Sequence, residues 1–69
     1  MVEVFKTNIQ DKITADNVLA ELMCIFPESI INFDLDDCDN ILRIESENVI
    51  PENVSSVLIS KGFECEVLE

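Results

Sequence analysis

The sequence predicts an α+β domain in which four strands and two helices follow one another in the order βαββαβ. Three observations lead to this prediction. Apolar and polar residues alternate in four short segments, apolar residues recur at helical spacing between them, and Pro and Gly stand where helices begin or end. The 69 residues are enough for one domain, 1–69, with a small core.

The first predicted strand covers residues 2–9, which are rich in β-branched residues and open with an alternating pattern. Val2 and Val4 would share one face of this strand, and Phe5 and Ile9 would share the other. Apolar side chains on both faces leave open which face lies against the core, and therefore where Phe5 points.

The first helix is predicted to follow a loop over residues 10–14. Thr14 is the predicted N-cap, and Asp16 would lie in the first turn, where the helix dipole favours an acid. Pro27 disfavours helical geometry in the residue before it, so the helix should end there. The apolar stripe at helical spacing is Val18, Leu19, Leu22, Ile25 and Phe26.

The second half of the chain predicts a β-hairpin, a helix and a last strand. Residues 30–45 alternate on both sides of 36–40, a segment of turn composition. Pro51 suits the first turn of the second helix, and Gly62 suits the position just after its end. The final strand is predicted over 63–67.

Two β-α-β units of this length are expected to form a four-stranded antiparallel sheet with both helices on one face, the ferredoxin-like arrangement. The other face of that sheet is then open. A continuous apolar patch with an acidic rim would mark a docking surface there, whereas isolated apolar residues would be ordinary. Phe5 is a candidate for this face, depending on how β1 is oriented. The other residues expected on it are Ile30, Ile41, Leu68, Asn32, Arg43, Glu64 and Glu66.

The charge of the chain is strongly negative, with 15 acidic against 4 basic residues and a net charge of −11. This balance argues against nucleic acid and against anionic lipid surfaces, both of which need Lys and Arg. A basic protein partner suits it, although strong charge also keeps a small domain soluble whatever its role. No apolar run approaches the about 20 residues of a membrane helix, and no secretory signal is visible, so a cytoplasmic location is predicted.

The residues needed for catalysis are scarce. The chain contains no His, which removes the usual general base and any Cys–His or Ser–His pair. Cys24, Cys38 and Cys65 are an odd number without Cys-x-x-Cys spacing, which favours reduced thiols. We therefore predict that the protein is not an enzyme and carries no cofactor.

An acidic segment between the two hairpin strands is the candidate cation site. From Asp34 to Glu45 the spacing partly matches a calcium-binding loop, but Cys38 and Asp39 stand at two positions that shape such a loop. The predicted structure is a solvated hairpin turn, with a weak divalent site as the alternative. The candidate ligands are Asp34, Asp36, Asp37 and Asp39, together with Asp11 before the first helix.

The segments 58–63, Leu-Ile-Ser-Lys-Gly-Phe, and 31–35, Ile-Asn-Phe-Asp-Leu, resemble the second helix end and the second strand of heavy-metal-associated domains. That family includes small copper chaperones and holds metal through Met-x-Cys-x-x-Cys in the loop before its first helix. At the matching positions this chain has Ile9, Asp11 and Thr14. The resemblance implies the fold, but the two thiolates that soft metal ions prefer are absent here.

The sequence thus predicts a non-enzymatic binding or adaptor module with a basic protein partner. Two alternatives stay open. One is a metal-binding protein that uses carboxylates or the scattered cysteines, and the other is a homodimer that forms a small-ligand regulatory cleft between two copies.

Overall fold

A computed structural model describes residues 1–36 and 38–68, and within them it confirms the α+β class and the predicted order of elements. The elements are β1 (Val2–Thr7), α1 (Lys12–Ile25), β2 (Ile30–Asp34), β3 (Ile41–Glu45), α2 (Pro51–Ser60) and β4 (Cys65–Leu68).

The four strands form one antiparallel sheet in the order β2-β3-β1-β4. Phe5 of β1 lies opposite Leu42 of β3 and Val67 of β4. Because β3 lies between β1 and β2, and β1 lies between β3 and β4, each β-α-β unit is split by a strand of the other. This arrangement is consistent with the predicted ferredoxin-like fold and leaves β2 and β4 as the edges of the sheet.

The core lies between one face of the sheet and both helices. Phe5 is fully buried there, which answers the question that the sequence left open, and Val4 points to the opposite, outer face. The stripe predicted for α1 supplies Val18 and Leu22 to the core. The buried residues of the core are Phe5, Ile9, Ala15, Val18, Leu22, Ile31, Leu42, Ile44, Val49, Val54 and Leu58.

The connection between β1 and α1 differs from the prediction at both ends. β1 ends at Thr7, and Ile9 is buried in the core from the connecting loop with 1% of its surface exposed. The predicted N-cap at Thr14 was wrong, because α1 begins at Lys12 with Asp11 as its N-cap. The Asp11 carboxylate accepts a hydrogen bond from the Thr14 backbone N–H at 2.8 Å, which satisfies a donor that has no partner inside the helix.

The remaining helix boundaries follow the predicted signals. α1 ends at Ile25, two residues before Pro27, and α2 begins at Pro51. After α2, the N–H of Gly62 donates to the Ile59 carbonyl at 3.0 Å, and the N–H of Phe63 donates to the Leu58 carbonyl at 3.1 Å. These two bonds form a Schellman motif.

Replacing Gly62 by alanine should lower the free energy of unfolding by about 1–2 kcal/mol. Gly62 has a φ of +93°, and a Cβ atom there would meet nothing within 4 Å, so the loss comes from the backbone alone. Urea unfolding followed by far-UV circular dichroism measures it. Gly62→Asn is the control, because Asn tolerates the left-handed region better, and equal losses in both variants would contradict this explanation.

Candidate functional site

The loop before α1 is where the sequence resemblance predicts the metal-binding positions, and its side chains shape the start of the helix. Ile9 is buried in the core, and the Asp11 carboxylate caps α1 through the Thr14 N–H. Hydrogen bonds from Thr14 hold the pKa of Asp11 below its ordinary value. In this structure, therefore, the loop side chains stabilise the fold.

Because the pKa of Asp11 is lowered in the folded state, its charge stabilises the fold above the ordinary carboxyl pKa of 3.8. That stabilisation should disappear as the pH falls through the lower, folded-state pKa. We expect Asp11→Asn, which keeps a capping oxygen, to lose less of its stability on acidification than the unmodified chain.

The measurement is urea unfolding followed at a series of pH values from neutral to strongly acidic. Asp11→Ala, which removes the cap, should be less stable than Asp11→Asn at neutral pH. Identical pH dependence in the unmodified chain and in Asp11→Asn would contradict the assigned role.

The acidic segment between β2 and β3 is a hairpin turn, as predicted, and the strands on both sides exclude the helix–loop–helix form of a calcium site. Asp34 Oδ1 accepts the Asp36 N–H at 3.2 Å, and Asp39 Oδ1 lies 3.8 Å from Lys6 Nζ. Asn40 has a φ of +50°, a left-handed conformation that Asn tolerates. Asp37 lies outside the described residues.

Across residues 1–36 and 38–68, no three His, Cys, Asp or Glu side chains converge as a metal-binding group. Asp11, at the start of α1, and the aspartates of the hairpin belong to different elements of the fold. The described part of the chain therefore supplies no geometry that assembles Asp11, Asp34, Asp36 and Asp39 into one centre.

The three cysteines are free thiols on three different parts of the fold. Cys24 on α1 and Cys38 in the hairpin turn are exposed, while Cys65 on β4 is half-buried against the core. Burial raises the pKa of the Cys65 thiol, and a hydrogen bond with Ser55 partly offsets that effect. A raised pKa leaves less of the reactive thiolate, so Cys65 suits packing rather than nucleophilic chemistry.

The outer face of the sheet carries mixed apolar and charged side chains. Ile41 lies between Lys6 and Asp34, and Ile30 lies opposite Glu45, so neither isoleucine has an apolar neighbour across the strands. Phe5 lies on the inner face. Val4 does lie opposite Leu68, but its other neighbour across the strands is Arg43. Charged residues thus interrupt the apolar ones, and the outer face is not the continuous apolar patch that would mark a docking surface.

Glu64, which the sequence placed on the outer face, precedes β4. Its N–H donates to Asn8 Oδ1 at 2.9 Å, which ties this segment to the loop after β1. Glu64 therefore lies in the connection from α2 to β4, outside the alternation of the sheet.

An open groove of about 670 Å³ lies between the first half of α1 and the edge strand β2. Half-buried side chains of Leu19, Phe33 and Leu35 supply its apolar surface. Carboxylates from both sides border it, including Asp16 on α1 and Asp34 at the end of β2. Sequence reasoning missed this groove, because it depends on β2 being at an edge of the sheet.

Three of the four basic residues are paired with acids of the same chain. Lys12 Nζ lies 3.5 Å from Asp16 Oδ2, Lys6 is paired with Asp39, and Lys61 is paired with Glu21. Such exposed pairs add little stability. They matter for the electrostatics of the surface, because they neutralise three of the four bases. Arg43 is the fourth base, and carboxylates dominate the rest of the charged surface.

Comparisons of the chain with protein-family models, with curated proteins and with solved structures found no match. Neither helix of the described residues is long and apolar enough to cross a membrane. The fold and its surfaces thus define a small acidic α+β domain with a groove along the β2 edge of its sheet.

Proposed function

We propose that the protein is a non-enzymatic binding or adaptor module whose acidic surface engages a basic protein partner. The observation that carries this proposal is the distribution of charge. With a net charge of −11 and three of its four bases paired with acids of the same chain, the domain presents a large excess of carboxylates over bases. Such a surface speeds association with a positively charged partner and repels an acidic one.

The chemistry of the chain supports a binding role over a catalytic one. It has no His, and among the described residues no carboxylate is buried, whereas tuned acids and bases usually owe their function to burial or close neighbours. Its accessible cysteines stand away from helix N-termini: Cys24 lies near the end of α1, and Cys38 is flanked in the sequence by Asp37 and Asp39. A cytoplasmic location suits free thiols and belongs to this proposal.

Fluorescence anisotropy with labelled synthetic peptides tests the proposal. The domain has no Trp or Tyr of its own, so the label supplies the signal. Peptides rich in Lys and Arg should bind to the domain. Their affinity should fall as salt is added, because salt screens exposed charges. Acidic peptides of the same length are the control, and failure of every basic peptide to bind at low salt would overturn the proposal.

The alternatives from the sequence are tested alongside. Calorimetric titration with Cu(I), Zn²⁺ and Ca²⁺ would favour the metal-binding alternative if one ion bound with a dissociation constant below about 1 μM, which corresponds to about 8 kcal/mol. Light scattering at low and high concentration would show the homodimer that a shared ligand cleft requires.

A further inference from the structure

We infer that the groove between α1 and β2 takes an extended, basic segment of the partner, which adds to the sheet as a fifth strand beside β2. This inference rests on the proposed function and names its site and its mode of recognition. In strand addition, backbone hydrogen bonds give affinity, and alternate side chains enter neighbouring pockets.

The first support is the edge position of β2. Its residues, Ile30–Asp34, pair with β3 on one side, and no described strand covers the other. The consecutive residues Asn32 to Asp36 line the groove although their side chains point alternately to the two faces of the sheet. A groove can touch both faces only by running along the strand's open edge, where the backbone N–H and C=O groups need partners.

The second support is an apolar surface beside that edge. Leu19 projects from α1, and Phe33 and Leu35 project from β2 and the residue after it. All three are half-buried, so part of each side chain faces the groove. An added strand directs every second side chain toward the helix layer, and an apolar residue at those positions would cover this surface.

The third support is charge. Asp34 and Asp36 border the groove, and no base among the described residues pairs with either of them. Asp16 across the groove is already paired with Lys12. Unpaired carboxylates at the strand end select Lys or Arg at the intervening positions of the peptide. They also disfavour a second copy of this chain, which would bring acids against acids.

The other edge of the sheet lacks this combination. A cavity of about 550 Å³ near β4 has apolar lining from Ile59 and Phe63, but of β4 itself it contacts only the first two residues, Cys65 and Glu66. It lies at the end of that strand rather than along it. The β4 edge therefore supplies a matched control that has acids but no groove running along the strand.

The test uses a ten-residue peptide in which lysine alternates with valine, titrated into the ¹⁵N-labelled chain and followed by NMR. We expect the largest shift changes at the amides of 31–36 and 12–19, with slower hydrogen exchange in β2 on binding. The double variant Asp34→Asn/Asp36→Asn keeps the amide oxygen that holds the turn and should weaken binding about three- to tenfold. Glu64→Gln/Glu66→Gln at the other edge should leave binding nearly unchanged.

Two further peptides separate strand addition from general electrostatic attraction. Backbone N-methylation at every odd or every even position removes the hydrogen-bond donors that face one side only, so one of the two should lose binding and the other should keep it. Equal binding by both, or shift changes confined to residues outside the groove, would overturn the inference while the proposed function stands. If no basic peptide binds, the proposed function itself fails. If the free chain is a dimer and its β2 amides are protected from exchange, a second copy of the chain occupies this edge, and the inference is also overturned.

Discussion

Replacement of Phe5 by alanine is expected to lower the free energy of unfolding by about 3–5 kcal/mol. Phe5 has none of its surface exposed and lies at the middle of the sheet, opposite Leu42 on one side and Val67 on the other. Truncation to alanine removes a whole ring from the core and leaves a cavity that its neighbours fill only in part. Small domains are stable by about 5–15 kcal/mol, so the variant should be largely unfolded at moderate urea concentrations.

Val4→Ala is the matched control, since Val4 is the adjacent residue and lies on the outer face, where it is half-buried. It should lose about 1 kcal/mol or less. Urea unfolding monitored by far-UV circular dichroism compares the two variants. A loss at Val4 equal to that at Phe5 would contradict the assignment of the inner face.

The face of Phe5 illustrates a limit of reading strands by alternation. Both faces of β1 carry apolar residues, and the inner face also carries Thr7, a polar residue that is almost fully buried. A hydroxyl on the core side weakens the contrast on which alternation depends. Only the pairing of β1 with β3 and β4, which is not local in sequence, decides which side is buried.

Helix ends were predictable where one residue has a strong backbone preference. Pro51 and Gly62 stand at the positions expected of them, because the fixed φ of Pro suits a first helical turn and Gly adopts a positive φ with the least strain. At the start of α1, two residues compete, and Asp11 caps the helix through the N–H of Thr14 itself. The exposed Ile13 lies outside the apolar stripe predicted for α1, which starts only at Val18. The apolar spacing therefore did not indicate the first turn of the helix.

The groove could not be found from local patterns for a different reason. Leu19 and Phe33 were predicted as apolar positions of a helix and a strand, and both predictions are correct. Their partial exposure follows from the strand order, which leaves β2 at an edge with α1 beside it. Composition predicted the charge of a partner, but the place where it could dock required the tertiary structure.

Thr7→Val tests a polar junction that no motif indicated. Thr7 is 5% exposed, and it is the one buried polar side chain among the residues that the structure describes. Its hydroxyl donates to the Asn40 carbonyl at 2.6 Å and accepts the Ile9 N–H at 3.2 Å. One side chain thus joins the end of β1, the loop before α1 and the acidic hairpin.

Valine keeps the shape of threonine but removes the hydroxyl, so the Asn40 carbonyl and the Ile9 N–H both lose a partner. Each buried group left unsatisfied costs about 1–3 kcal/mol. We expect the free energy of unfolding of Thr7→Val, measured in urea, to fall by an amount in that range for each of the two groups. The Ile9 amide hydrogen should also exchange faster, as measured by NMR. Thr7→Ser keeps the hydroxyl and should retain slow exchange at Ile9 with a smaller loss of stability.

The two readouts separate the junction from simple packing. If the methyl group of Thr7 were its main contribution, Thr7→Ser would be the less stable variant and Thr7→Val would resemble the unmodified chain. If the hydroxyl holds the junction, the order is reversed. The hairpin should then loosen in Thr7→Val alone, because Asn40 in its left-handed conformation loses the bond that ties it to β1.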